Sequence, residues 1–128
     1  MGDAVLIELP AEPSAVAIAR AFVTEHAGTL DPVLRQDAEL LVSELVSNAV
    51  LHGQPSISLR VRTDPPGIGI EVHDEGPGMP ALPSEEPSAD RSSGRGLRMV
   101  AALASAWGIQ SADGGPGKIV WFTLAPAS

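Results

Sequence analysis

Two segments of alternating apolar and polar residues follow each other closely in the middle of the chain, and they constrain the fold more than any other feature. Residues 56–63, SISLRVRT, alternate as a half-buried strand does, and residues 68–73, IGIEVH, form a second predicted strand. Residues 64–67, DPPG, lie between them and are typical of a turn. The sequence therefore predicts a β-hairpin, and with it a sheet that contains an antiparallel pair.

Two helical patterns precede this hairpin. Apolar residues recur at helical spacing over residues 12–27, and Ser14 is the predicted N-cap of that helix. A second helix is predicted to begin at Asp31 and Pro32, a capping carboxylate followed by a proline in the first helical position, and to run to about Leu51. We therefore expect two helices to lie on one face of the sheet.

The second half of the chain returns to both kinds of element. A helix is predicted over residues 94–106, after a loop at residues 75–93 that is rich in Gly, Pro, Ser, Asp and Glu. Trp107 and Trp121 are expected to pack in the core. Helices interleaved with hairpin strands predict an α/β fold: a two-layer α/β sandwich with a mixed, mostly antiparallel sheet and helices on one face. The remaining predicted strands are residues 4–9, 107–112 and 118–124.

Composition limits the classes of function. The 128 residues fit one domain, residues 1–128, with a net charge of −8. The eight basic residues are scattered, which argues against direct nucleic-acid binding because phosphate contacts need clustered positive charge. The sequence has no cysteine, no apolar run long enough for a membrane helix and no secretory signal, so we expect a cytoplasmic protein without a membrane contact.

The predicted long helix carries the first candidate site, in residues 39–53. Glu44, Asn48 and His52 are spaced four residues apart and therefore share one stripe, which leucines and valines flank. One interpretation is a solvated surface stripe with a histidine near the helix C-terminus. The other is a pair of functional groups: the Asn48 amide oxygen as a ligand for Mg²⁺, and the Glu44 carboxylate one turn away as a base for a hydroxyl.

The second candidate site is DEGPGMP, residues 74–80, which directly follows the second hairpin strand. Asp74 could accept a hydrogen bond from an exocyclic amine, while Gly76 and Gly78 let a flat ring approach the backbone. The same residue types also suit an ordinary turn.

The third candidate is RSSGRGLRMV, residues 91–100, in which Gly94 and Gly96 precede the predicted third helix. The free N–H groups at a helix N-terminus attract phosphate, and Arg95 and Arg98 add positive charge. A flexible helix entry is the alternative.

Taken in order, these three motifs resemble those of the Bergerat-fold ATPases, the family of gyrase, histidine kinases and MutL. Residues 39–53 match the N box, residues 74–80 the first glycine box and residues 93–97, SGRGL, the second. The resemblance implies that ATP and Mg²⁺ are bound, that residues 79–93 form the lid over ATP, and that each box supplies contacts. The implied nucleotide contacts are Asn48, Asp74, Gly76, Gly78, Gly94, Arg95, Gly96 and Leu97, with Asn48 also holding Mg²⁺ and Asp74 binding the adenine amine.

Within this family the chain resembles the small stand-alone anti-sigma factors that are also serine-protein kinases, in their actinobacterial form. The matching segments are LPAEPSAVAIAR, LLVSELVSNAVLHG, GRGLRMV and GKIVWFTL. The resemblance implies binding of a sigma factor, phosphorylation of a Ser or Thr on a STAS-type anti-anti-sigma protein with Glu44 as the general base, and a homodimer. Arg95 is either a γ-phosphate contact or a surface residue that anchors the lid. The alternative function is a nucleotide-binding regulatory module without kinase activity.

The chain departs from the family pattern in two places. Larger relatives have a GTxV-like box near the end, whereas this chain has GKIV at residues 117–120, so the threonine hydroxyl is missing. The predicted lid is acidic, with Glu85, Glu86 and Asp90, and these carboxylates would repel phosphate.

Overall fold

A computed structural model describes residues 4–27, 30–51, 56–64, 67–74, 98–111 and 117–125. Within these ranges the strands are β1 (Ala4–Leu9), β2 (Ile57–Asp64), β3 (Gly67–Asp74), β4 (Ala106–Ser111) and β5 (Lys118–Leu124). The helices are α1 (Ser14–His26) and α2 (Pro32–Leu51), and residues 98–103 are the described part of a third helix, α3. None of the helices within the described ranges is long and apolar enough to cross a membrane.

The strands form one five-stranded sheet in the order β1-β2-β3-β5-β4, and its four pairings are antiparallel. The predicted hairpin is confirmed, since β2 and β3 pair from Ile57 opposite Asp74 to Asp64 opposite Gly67. The predicted α/β fold is confirmed as well, but the sheet is antiparallel throughout the described strands and not mixed as predicted.

Alternation along the strands places one face of the sheet in the core. On that face Leu59, Val72 and Val120 follow one another across β2, β3 and β5, and all three are buried. Helices α1 and α2 pack against each other; α1 also contacts β1 and β2, and α2 contacts β3 and β5. The buried side of α2 consists of Leu34, Ala38, Leu41, Val42, Leu45, Val46 and Ala49. The two helices therefore cover the core-facing side of the sheet, as predicted.

The two helix starts have different outcomes. The predicted cap at Asp31 is confirmed: its Oδ2 accepts hydrogen bonds from the backbone N–H groups of Val33 at 3.1 Å and Leu34 at 3.4 Å. The predicted cap at Ser14 is wrong. Pro13 is the N-cap residue of α1 and makes no side-chain cap bond, and Ser14 is already helical, with its hydroxyl donating to Oε1 of Glu12 at 2.9 Å.

The predicted end of α3 is also wrong, because helix was predicted up to residue 106 and the helical residues end at 103. The next segment is held by β5 instead. The backbone N–H of Ser105 donates to the carbonyl of Thr123 at 2.8 Å, and the Ser105 hydroxyl accepts from the N–H of Ala125 at 3.0 Å. Pairing with the sheet thus overrides the helical pattern and starts β4 at Ala106, one residue earlier than predicted.

The two tryptophans lie on opposite faces of the sheet. Trp107 packs against the core, as expected. Trp121 has the opposite parity to the buried β5 residues Val120 and Phe122, so its predicted core position is wrong. Its indole lies over Gly108 of β4, where an added Cβ would be only 2.8 Å from the indole Nε1. Gly108 therefore leaves room for the ring on the face away from the helices.

Candidate functional site

One end of the core-facing side of the sheet is charged. Cross-strand partners there run Leu9, Ile57, Asp74, Lys118 and Ser111 from β1 to β4 in spatial order. Leu9 and Ile57 are buried apolar residues, as expected beside the core. Asp74 and Lys118 are buried too, with exposures of 4% and 6%. This row therefore places a carboxylate and an ammonium where the rows farther along the sheet place valine, isoleucine and phenylalanine.

These two side chains form an ion pair. The Nζ of Lys118 donates a hydrogen bond to Oδ1 of Asp74 at 2.9 Å, between residues directly opposite each other on β3 and β5. Removing either charge from water is unfavourable, and the opposite charge compensates part of that free energy. The pair thus explains how a carboxylate can stay buried at the end of β3.

Sequence reasoning found Asp74 but missed its partner. In the sequence, Lys118 was noted only as part of the GKIV segment that lacks the threonine of the GTxV-like box. The signal was present in the strand pattern, because Lys118 has the same parity in KIVWFTL as Val120, Phe122 and Leu124. Parity predicts that Lys118 faces the core, but the β3–β5 register is needed to place it opposite Asp74.

The residue before Lys118 fixes how the chain enters β5. Gly117 has φ 127°, a backbone conformation that glycine adopts readily and other residues rarely do. A side chain here would strain the backbone immediately next to the buried ammonium. The glycine of the GKIV segment is therefore explained by backbone geometry.

Helix α2 supplies the other described candidates, Glu44 and Asn48. Both are half-buried and border the buried stripe that faces the sheet. The helix ends at Leu51 and β2 begins at Ile57, in the same cross-strand row as Asp74. This short connection brings the C-terminal turns of α2 toward the end of the sheet that carries the ion pair.

The half-burial of Glu44 and Asn48 argues against a fully solvated stripe. Neither residue is free in the structure, since each has an interaction partner. The third member of the predicted stripe, His52, lies outside the described residues.

The remaining candidates also lie outside the described residues: Gly76, Gly78, the predicted lid at 79–93, Gly94, Arg95, Gly96 and Leu97. The order of the elements nevertheless shows which described elements this segment connects. The chain leaves β3 at Asp74 and is next described at residue 98, in α3. Both glycine boxes therefore belong to the connection that starts at the buried carboxylate.

The donor set suits Mg²⁺ and a nucleotide. Among the described residues no group of three or more His, Cys, Asp or Glu side chains could hold a metal by itself. Mg²⁺ commonly takes only one or two protein oxygens together with phosphate oxygens, and the Asn48 amide as a single protein ligand fits that pattern. A buried carboxylate such as that of Asp74 is a suitable acceptor for an exocyclic amine.

Comparison with known proteins identifies the family. Residues 9–124 match the histidine kinase-like ATPase domain. The chain belongs to this family. The match extends from the end of β1 to the end of β5, and membership confirms the resemblance to the Bergerat-fold ATPases.

A relative of known sequence indicates the branch of the family. The chain is 30% identical over 117 residues to the anti-sigma F factor of Clostridium acetobutylicum. The alignment covers 81% of each protein. This agrees with the predicted stand-alone branch, whereas the actinobacterial form stays a prediction.

A solved structure supports the fold. The histidine kinase domain of the blue-light activated kinase EL346 from Erythrobacter litoralis aligns with a TM-score of 0.52 and 22% identity. The alignment covers 88% of this chain but 59% of that one, so the chain spans about three fifths of the kinase structure. At this identity the likeness is one of fold.

Proposed function

We propose that this family member binds ATP with Mg²⁺ and works as an anti-sigma factor that phosphorylates a serine or threonine of its antagonist. The observation that supports the proposal is the buried Asp74 carboxylate at the end of β3, in the same cross-strand row as Ile57, where β2 begins shortly after α2 ends at Leu51. The 30% identity to an anti-sigma F factor supports this branch of the family over the histidine kinases.

In the proposed nucleotide site Asp74 accepts a hydrogen bond from the amino group of adenine. The low exposure of the carboxylate strengthens such a bond, because little water competes for it. Gly76 and Gly78 follow within the same segment and let the base and ribose approach the backbone. Gly94, Arg95, Gly96 and Leu97 would then bind the phosphates near the start of α3.

Asn48 is the proposed protein ligand for Mg²⁺. Bound there, the ion would neutralise phosphate charge during transfer. The amide oxygen is a hard, uncharged ligand, and its half-buried position on α2 limits competition from bulk water.

Glu44 is the proposed general base. Its carboxylate lies one turn before Asn48, about 6 Å along the helix axis. As the hydroxyl oxygen of the antagonist bonds to the γ-phosphorus, Glu44 takes the hydroxyl proton and the bond from phosphorus to the β–γ bridging oxygen breaks, releasing ADP. Positioning and charge neutralisation supply most of such a catalytic effect.

The proposed partners are a sigma factor and a STAS-type anti-anti-sigma protein. We propose that the chain binds them in the cytoplasm as a homodimer. The net charge of −8 favours a partner with a basic surface and disfavours direct contact with nucleic acid.

The same site also fits a second function, a nucleotide-dependent regulatory module without phosphoryl transfer. The acidic residues Glu85, Glu86 and Asp90 in the predicted lid favour that alternative.

Calorimetric titration of the purified protein with ATP, with and without Mg²⁺, tests the proposed site. We expect saturable binding that Mg²⁺ tightens. Incubation with radiolabelled ATP and STAS-domain proteins of the same organism then separates the two functions: label on a serine or threonine supports the kinase, and tight ATP binding without label supports the regulatory module. Absence of ATP binding under both conditions would reject the site.

A further inference from the structure

The buried pair of Asp74 and Lys118 has a chemical property that a lone carboxylate lacks. It presents a hydrogen-bond acceptor and a hydrogen-bond donor side by side, 2.9 Å apart, at the point where the chain leaves β3 for the glycine boxes. A lysine ammonium has three N–H donors, and the bond to Asp74 uses one of them. The pair can therefore offer both kinds of contact to one ligand.

Stability alone gives a weak reason for the pair. A buried ion pair often contributes no more to folding than apolar residues of similar volume, because desolvation of the two charges offsets their attraction. The neighbouring row on the same face, with Val72 opposite Val120, shows that this sheet packs with apolar partners one step away. Binding of a ligand that contacts both charges would explain why this row has an ion pair, which the stability of packing does not explain.

The edge of adenine complements this arrangement. Its 6-amino group is a donor and the adjacent ring nitrogen N1 is an acceptor, and proteins read unpaired bases by hydrogen bonds along that edge. We propose that Lys118 is a second base-reading residue, whose ammonium donates a hydrogen bond to N1 of adenine while Asp74 accepts one from the 6-amino group. This inference rests on the proposed nucleotide site.

The arrangement also accounts for how Lys118 is held. The Lys118 side chain is 8% exposed, and its ammonium is held by Asp74. The residue follows Gly117, whose φ of 127° sets the start of β5. A donor with this little freedom loses little entropy when it binds a ligand. Base recognition by Lys118 would therefore contribute to affinity as well as to specificity.

The test compares two ligands, ADP and 1-deaza-ADP, in which a C–H group replaces N1. Titration of the wild-type protein should show that 1-deaza-ADP binds about tenfold or more weakly than ADP, as expected for loss of a hydrogen bond to a charged donor. In Lys118→Met, ADP affinity should fall by a similar factor and the difference between the two ligands should disappear. Arg62→Met, which removes an exposed positive charge from the other face of β2, should retain the full difference.

Each result decides the question. Equal affinity of the wild-type protein for ADP and 1-deaza-ADP would overturn the inference while leaving the nucleotide site intact, and this comparison needs no variant to fold. Equal losses for both ligands in Lys118→Met, with the wild-type difference preserved, would show that Lys118 acts only as the counter-ion of Asp74. No ADP binding by the wild-type protein would overturn the proposed nucleotide site together with this inference.

Discussion

Lys118 and Asp74 are joined by a 2.9 Å hydrogen bond across the central β3–β5 pairing, and their side chains are only 8% and 6% exposed. This relationship changes what a substitution at Asp74 tests. A carboxylate proposed to bind adenine is also the counter-ion of a buried lysine. Loss of nucleotide binding in an Asp74 variant therefore has to be separated from loss of folding.

Asp74→Asn should weaken ATP binding and also destabilise the fold. The amide removes the negative charge and leaves the Lys118 ammonium buried without its counter-ion, which lowers the free energy of unfolding by about 3–5 kcal/mol. Asp74→Asn with Lys118→Met removes both charges and should recover most of that loss. Urea denaturation of the wild-type protein and both variants measures this. A single variant as stable as the wild type would show that the ion pair contributes nothing.

Glu44→Gln should strongly slow phosphoryl transfer while leaving ATP binding unchanged, because the amide keeps the shape of the side chain but cannot take the hydroxyl proton. We expect the rate to fall about 10²- to 10⁴-fold, the usual contribution of a general base. Glu44→Ala should behave in the same way. Gln36→Ala, at an exposed position of the same helix, serves as the matched control. Full transfer by Glu44→Gln would remove Glu44 from the mechanism.

Asn48→Ala should remove the effect of Mg²⁺ on nucleotide affinity. The wild-type protein should bind ATP more tightly with Mg²⁺ than with a chelator, and the variant should bind equally under both conditions because the proposed metal ligand is gone. Ser47→Ala, one residue earlier and exposed, should keep the Mg²⁺ effect. Retention of that effect in Asn48→Ala would place the metal on other ligands.

Gly108→Ala should destabilise the sheet through Trp121. The added methyl group would lie 2.8 Å from the indole Nε1, so the ring has to move, and overpacking of this kind typically lowers stability by about 1–3 kcal/mol. Thermal unfolding with tryptophan fluorescence detects both the loss of stability and the displaced ring. Gly69→Ala on β3 is the control, since its methyl group would make only an ordinary contact of 3.7 Å with Thr123. Equal stability of the two variants would contradict the proposed clash.

Local patterns predicted much of this architecture. Strands β1 and β5 have the predicted bounds because alternation and flanking breakers are properties of neighbouring residues. Asp31 was predicted correctly as a cap because its two hydrogen bonds reach only the next helical turn. Such features need no knowledge of the rest of the chain.

The errors arose where distant residues or a preceding proline decide the outcome. The end of α3 depends on two hydrogen bonds of Ser105, one donated to the carbonyl of Thr123 and one accepted from the N–H of Ala125, and these partners lie in or next to another strand. The Ser14 prediction failed because Pro13 takes the cap position. The Lys118 contact with Asp74 requires the register of two strands that are far apart in sequence, so the motif predicted the carboxylate without its partner.

The order of the sheet also sets when the charged row can form. Asp74 and Lys118 are 44 residues apart, whereas only two residues separate the end of β2 from the start of β3. Local hairpins form readily, and contacts that close a long loop form more slowly. During synthesis from the N-terminus, Asp74 is made 44 residues before its counter-ion. The carboxylate must stay hydrated until β5 docks between β3 and β4, so the arrival of the last strand completes the site, and nucleotide binding by a nascent chain would report that event.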